Sequence, residues 1–249
     1  MREICIVLTV ASAFITAGAL QLPKYVKPCG RNDPNFNECV IKHARETLKA
    51  PILEKGDPKY KLPSISPLLI TEIKVVNTNG INLIIRDIKL HGLLGVSVDK
   101  LEFDFEKKRV FGEFRFPVLE IIGKYKMSGR LLLLPINGEG DLNITLVDSK
   151  MSVEGDFVQE IVGETQHAVV NNPRATMDPS RMYVLLTNLF NGDKVLGKQM
   201  NEFLNDKWKD AYNSLSAPIV EGIVQAVISV INEASSVVPF EEAFPESLP

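Results

Sequence analysis

Across residues 68–189 the apolar side chains recur largely at alternate positions, and this constrains the fold more than any other feature. Ile73, Val75, Leu83, Ile85, Leu101, Phe103, Phe105, Phe114, Phe116, Leu119, Ile121, Tyr125 and Met127 carry the pattern. Glu102, Asp104, Glu113, Arg115, Lys124 and Lys126 fall between many of them. Period two sends successive side chains to opposite faces, so each run is a strand with one dry face and one wet face. Asn77-Thr78-Asn79-Gly80, Glu106-Lys107-Lys108, Asn137-Gly138-Glu139-Gly140 and Asp148-Ser149-Lys150 read as turns between the runs. The expectation is long antiparallel strands joined by short turns. A sheet with one dry face must lay that face on something.

The C-terminal part supplies the cover. Residues 192–238 read as one long helix with a bend at Pro218. Val195, Met200, Phe203, Leu204, Trp208, Tyr212 and Leu215 lie near one face, opposite Lys198, Glu202, Asp206, Lys209 and Asp210. Past Pro218 the helix is apolar nearly all round, from Ile219, Val220, Ile223 and Val224 to Val227, Ile228 and Ile231. Such a helix is buried. Glu221, Gln225, Asn232 and Glu233 argue against a membrane span. The reading is an α+β fold in which an extended sheet curls around a long apolar helix. Ahead of the sheet, Asp33 caps a helix with Pro34 at its first position, and Phe36, Val40, Ala44 and Leu48 follow at helical spacing. No linker, repeat or low-complexity tract divides residues 20–249, which are read as one domain.

Residues 1–19 have the form of a cleaved signal peptide: Met1 and Arg2, an apolar run, then the small residues Ala17-Gly18-Ala19. Cys5 leaves with that segment. Cys29 and Cys39 remain as an even pair in an oxidising compartment, which predicts one disulfide and a secreted protein. The signal holds one Arg and one Glu, so the mature chain keeps the net charge of −3. That charge and a pI near 5.7 argue against a nucleic-acid partner and against a strongly basic membrane-binding face.

Motifs for chemistry are sparse. His43, His91 and His167 are the only histidines, and none has a ligand-spaced partner, so no metal or cofactor is expected. Ser97-Val98-Asp99-Lys100 matches a Ser-x-x-Lys pattern, but it falls where a strand is expected and its companion motifs are missing. The chain reads as a non-enzyme. Asn143-Ile144-Thr145 is a sequon whose Asn143 points away from Leu142 and Ile144, which permits glycosylation.

The arm Tyr25-Val26-Lys27-Pro28-Cys29 is followed by Asp33-Pro34, Asn37 and Cys39. Phe203-Leu204-Asn205-Asp206-Lys207-Trp208 stands in the last helix, and Val238-Pro239-Phe240 with Phe244-Pro245 closes the chain. Together these resemble the insect takeout and juvenile-hormone-binding protein family over nearly the whole mature chain. The resemblance implies a TULIP-like fold: a long, highly curved antiparallel sheet wrapped around one C-terminal helix, with an internal hydrophobic tunnel. It also implies a secreted carrier of juvenile hormone, another terpenoid or a fatty-acid-like molecule in extracellular fluid. No cysteine follows Cys39, whereas the haemolymph hormone carriers have a second disulfide, so the chain resembles the takeout branch.

The lining candidates are the inward strand residues Phe103, Phe105, Phe114, Phe116, Leu119, Ile121, Tyr125, Met127, Leu142 and Ile144. The helix face Met200, Phe203, Leu204, Trp208, Tyr212 and Leu215 would close the tunnel. Packed core and tunnel wall demand the same residue types, so both readings stay open here. Two alternatives remain beside the carrier: a secreted interaction factor with a filled core and a receptor as partner, and a lipid-transfer protein touching membranes transiently.

Overall fold

The computed structural model describes residues 20–78 and 80–248, apart from the side chains of Asn77 and Thr78. Residues 1–19, which the sequence reads as a signal peptide containing Cys5, and Asn79 of the first predicted turn lie outside the described residues. Seven strands form one sheet: β1 (Leu68–Thr78), β2 (Ile81–His91), β3 (Ser97–Asp104), β4 (Arg109–Leu131), β5 (Leu134–Val162), β6 (Thr165–Asp178) and β7 (Arg181–Leu186). The helices are α1 (Phe36–Thr47), α2 (Ile52–Lys55), α3 (Lys194–Asp206), α4 (Trp208–Ser235) and α5 (Phe240–Ala243).

The spine of the sheet is β4 paired with β5, antiparallel from Arg109 opposite Asp156 to Leu131 opposite Leu134. At 23 and 29 residues these strands far exceed the common length of about 3–10. They are that long because each serves two neighbours. β3 pairs with the first part of β4 and β2 with the second. β7 pairs with the first part of β5 and β6 with the second.

Two expected turns are corrected. The turn expected at residues 137–140 lies inside β5, and the chain reverses instead at Leu132-Leu133, both with positive φ. Gly138 and Gly140 mark close approach, not reversal: a Cβ would meet the Tyr125 hydroxyl at 2.6 Å and the Thr187 carbonyl oxygen at 2.5 Å, respectively. Asp148-Ser149-Lys150 is also strand. Here the inward positions step by three residues, Leu146 to Ser149 in β5 and Phe116 to Leu119 in β4. Pro117 has no N–H to give the ladder and Asp148 takes φ 51°. Both strands change phase together, so the register persists.

The helices differ in detail too. α1 begins at Phe36, not Pro34; Asp33 builds the turn before it, its carboxylate accepting from the Asn35 N–H at 2.8 Å. The C-terminal helix breaks at Lys207 (φ −101°, ψ 33°) and runs unbroken through Pro218, flanked by buried Ile219 and Val220. The break follows from what α3 does. The Asn201 and Asn205 side chains each donate to and accept from β7 backbone: Asn201 with Leu186 (both 2.9 Å), Asn205 with Val184 (2.7 and 3.1 Å). These bonds satisfy the open edge of β7 and hold α3 along it. α4 must then turn away to enter the curve of the sheet. It packs against β6 and β1 as well as β7, closing the space between the two ends of the strand order.

Candidate functional site

The concave face of the sheet and α4 do not meet throughout. Between them lies a cavity of about 540 Å³. Its wall draws on Ala44 and Thr47 of α1 with Leu48 just beyond it, every strand, Leu204 of α3, and α4 from Ala211 to Ile231. One end reaches Leu83, Met127 and Leu131, just behind the β4–β5 reversal. The other reaches Phe103, Val110, Val153 and Val170. There a cluster of Phe36, Phe103, Phe105, Phe157, Phe240 and Phe244 adjoins the wall, with Phe103 and Phe157 edge-on at 5.0 Å. Arg31 holds the tail that supplies Phe240 and Phe244, donating to Glu241 at 2.6 Å, Glu246 at 3.1 Å and the Phe244 carbonyl at 2.5 Å.

Among the described residues the wall contains no charged side chain and no histidine. Its side-chain polar groups are the hydroxyls of Thr47, Tyr212 and Ser216. Thr47 donates to the Tyr25 carbonyl at 3.0 Å and Tyr212 to the Met177 carbonyl at 2.7 Å. Burial pushes the Tyr212 phenol up to about 12. The space is in the range of ligand pockets, about 300–1,000 Å³, and is far larger than the voids of a packed core.

The model of the haemolymph juvenile hormone binding protein (JHBP) family matches residues 4–245. The chain belongs to this family. The circadian clock-controlled protein daywake of Drosophila melanogaster is 25% identical over 235 residues, covering 89% of this chain and 88% of that protein. Daywake of Drosophila yakuba is 23% identical over 234 residues with the same coverage. The crystal structure of Epiphyas postvittana Takeout 1 is similar to this fold with a TM-score of 0.77 and 26% identity, over 88% of this chain and all of that one. The curled sheet and long C-terminal helix are thus the architecture of a JHBP-family protein.

Within this JHBP-family fold, the wall includes Phe103, Phe114, Phe116, Leu119, Ile121, Met127, Leu142, Ile144, Leu204, Tyr212 and Leu215. Five other candidates lie elsewhere. Phe105 sits in the aromatic cluster at the end of the cavity. Tyr125 is buried core; its hydroxyl donates to the Thr187 carbonyl at 2.7 Å, and burial pushes it up to about 12. Met200, Phe203 and Trp208 pack against the core where α3 meets β7 and α4 begins. Arg181 lies over the Trp208 ring at 5.7 Å and donates to the Asn205 carbonyl. The break at Lys207 leaves these three outside the curve that α4 enters. Sequence reasoning missed the share of α1, of Leu68, Leu83 and Leu90, and of α4 beyond Pro218. The signal for the last was present, since that stretch is apolar all round.

Asn143 is on the outer face, donating to Glu120 Oε1 at 2.9 Å. Cys29 and Cys39 form a disulfide. His43 Nδ1 lies 3.3 and 3.6 Å from their sulfurs and 3.1 Å from the Lys27 carbonyl. The bonded sulfurs offer no thiolate to a metal. His167 is buried, its Nδ1 2.8 Å from the Val238 carbonyl. Lys100, half-buried on β3, is paired with Glu102 at 3.0 Å, and Ser97 is exposed at the start of the strand.

Proposed function

We propose that the chain is a secreted carrier that holds one uncharged, predominantly apolar molecule, such as a terpenoid or a lipid ester, in the cavity between the sheet and α4. The cavity carries the reading. At ~24 cal/mol per Å³, leaving the 540 Å³ unfilled costs on the order of 13 kcal/mol. That equals the ~5–15 kcal/mol by which a typical domain is stable. A space kept open at such expense is explained by an occupant. A ligand burying ~400 Å² of apolar surface gains ~10 kcal/mol. Association takes back at least ~4 kcal/mol, so these two figures put the affinity at tens of micromolar at the tightest, and each further ~1.4 kcal/mol from contacts to the wall is worth about tenfold.

The wall also selects against charge. With no cation there, a carboxylate would lose its hydration and gain no partner. This favours neutral molecules over fatty-acid anions. The reading is carriage and not turnover: among the described residues the wall is built of aliphatic, aromatic and hydroxyl side chains. Ligand contact is assigned to Phe103, Phe114, Phe116, Leu119, Ile121, Met127, Leu142, Ile144, Leu204, Tyr212 and Leu215. The wall's α4 residues Ile223 and Val227 join them. Asn143, on the outer face, is the proposed glycan site.

The test is titration of the purified protein with an apolar, environment-sensitive fluorophore, followed by displacement with a neutral terpenoid ester. The reading expects one saturable site per chain and full displacement. A linear, non-displaceable signal overturns it.

A further inference from the structure

The reversal between β4 and β5 is made of the wrong residues for its geometry. A two-residue turn with positive φ at both positions favours Asn-Gly. Here the two positions are Leu132 (φ 50°) and Leu133 (φ 71°), where a branched side chain is strained. Packing does not explain Leu133, which is 91% exposed at the tip; Leu134 beside it is also exposed.

The charges around this tip run against the balance of the whole chain, whose net charge is −3. Exposed Lys124, Lys126 and Arg130 follow one another on the outer face of β4 toward the tip. Lys124 and Lys126 are paired with Asp141 and Glu139 across the ladder. Arg130 stands opposite Pro135 and has no acidic partner among the described residues. α3 begins at the same end, because Leu189 bridges to Gly138. It brings Lys194, also without an acidic partner among the described residues, and the exposed Val195 and Leu196. The β5–β6 tip at the far end also exposes apolar residues, Ile161 and Val162, but Glu160 and Glu164 flank them.

We propose that the Leu132-Leu133 tip docks this protein onto lipid bilayers with anionic headgroups. Leu133 and Leu134 enter the headgroup–acyl boundary while Arg130 and Lys194 face the anionic lipids. The cavity comes up to this tip, since Leu131, the residue before the turn, lines its wall. Docking there sets the end of the cavity against the source or destination of an apolar ligand. The purpose of docking rests on the carrier reading; the docking itself is tested apart from it.

The experiment floats the full secreted chain with vesicles of phosphatidylcholine and phosphatidylserine, or of phosphatidylcholine alone. Wild type is expected to float with the mixed vesicles and to be released by salt. Leu133→Asp is expected to lower the partition coefficient about tenfold or more, by the loss of one buried leucine. Its melting temperature should equal or slightly exceed that of wild type, because the side chain touches little and Asp tolerates positive φ better than Leu. Ile161→Asp, at the acidic tip, should float as wild type does. Wild type remaining in the soluble fraction overturns the proposal, as does undiminished flotation of Leu133→Asp or equal loss in Ile161→Asp. Fluorophore binding in solution is measured on the same proteins. Its absence in wild type would overturn the carrier reading and leave the docking result standing.

Discussion

The wall of the cavity makes a quantitative prediction about head groups. Consider one lipid chain presented as its methyl ester and as its free acid. Among the described residues the wall offers three hydroxyls and no cation, and two of those hydroxyls already donate to backbone carbonyls. An anion inside would be desolvated without compensation, so the acid must enter protonated. A carboxyl of ordinary pKa, ~4.5, pays ~1.36 kcal/mol per pH unit to be neutral, or ~4 kcal/mol near pH 7.5. The ester should therefore bind about a thousandfold more tightly than the acid at that pH. The gap should close about tenfold per pH unit on acidification and vanish near pH 4.5. Competition against an apolar fluorophore across this range measures the ratio directly. Ester and acid binding within a fewfold of each other near neutral pH would refute the reasoning, because the head group would then be in water or beside an unrecognised cation.

Other outcomes follow from the same contacts. Asn205→Ala removes the paired bonds to Val184 that cap the edge of β7. It should cost about 2–3 kcal/mol and lower the melting temperature by roughly 5–10 °C; an unchanged calorimetric transition would contradict the role given to this side chain. Replacing Cys29 and Cys39 together by Ser frees a loop of sequence separation 10. On the loop-entropy model this costs about 3 kcal/mol, read from urea unfolding, and a change under ~0.5 kcal/mol would contradict it. Tyr125 and Tyr212 are both pushed up to about 12 by burial, whereas an unfolded phenol titrates near 10. The neutral form is favoured by folding, so this stability is complete below pH 10 and is lost as pH rises from about 10 to 12. A urea midpoint that stays flat across that interval would count against buried phenols at these positions.

Much of the fold was legible because its main elements carry strong periods. Alternation over residues 68–189 specified strands with one dry face, and the all-round apolar stretch after Pro218 specified the buried helix. Details failed where one residue type has two uses. Gly138 and Gly140 look like a turn, but they are glycine because Tyr125 and Thr187 press against them. The true reversal, at Leu132-Leu133, carries no turn chemistry at all. Pro218 suggested a bend, yet the break at Lys207 follows from Asn201 and Asn205 binding the backbone of β7, a tertiary contact that helical periodicity does not encode. The cavity was hardest to read. Phe103 and Phe105 share a phase in the sequence and both join the terminal aromatic cluster, yet only Phe103 reaches the cavity; β3 ends at Asp104, and Phe105 packs on Phe240 and Phe244. Tyr125 obeys the inward period and is still core. Period reports which face a residue takes, and not whether another side chain fills the space before it.

The central claim is that the space between the sheet and α4 is occupied by a neutral apolar molecule. It is tested most directly by mass spectrometry of organic extracts from the natively purified protein, beside an equal mass of a control secreted protein. The account predicts one enriched, uncharged apolar compound in near-stoichiometric amount. No enrichment, together with no displacement of an apolar fluorophore by terpenoid esters, would contradict it and point to a protein whose surface, not its interior, does the binding.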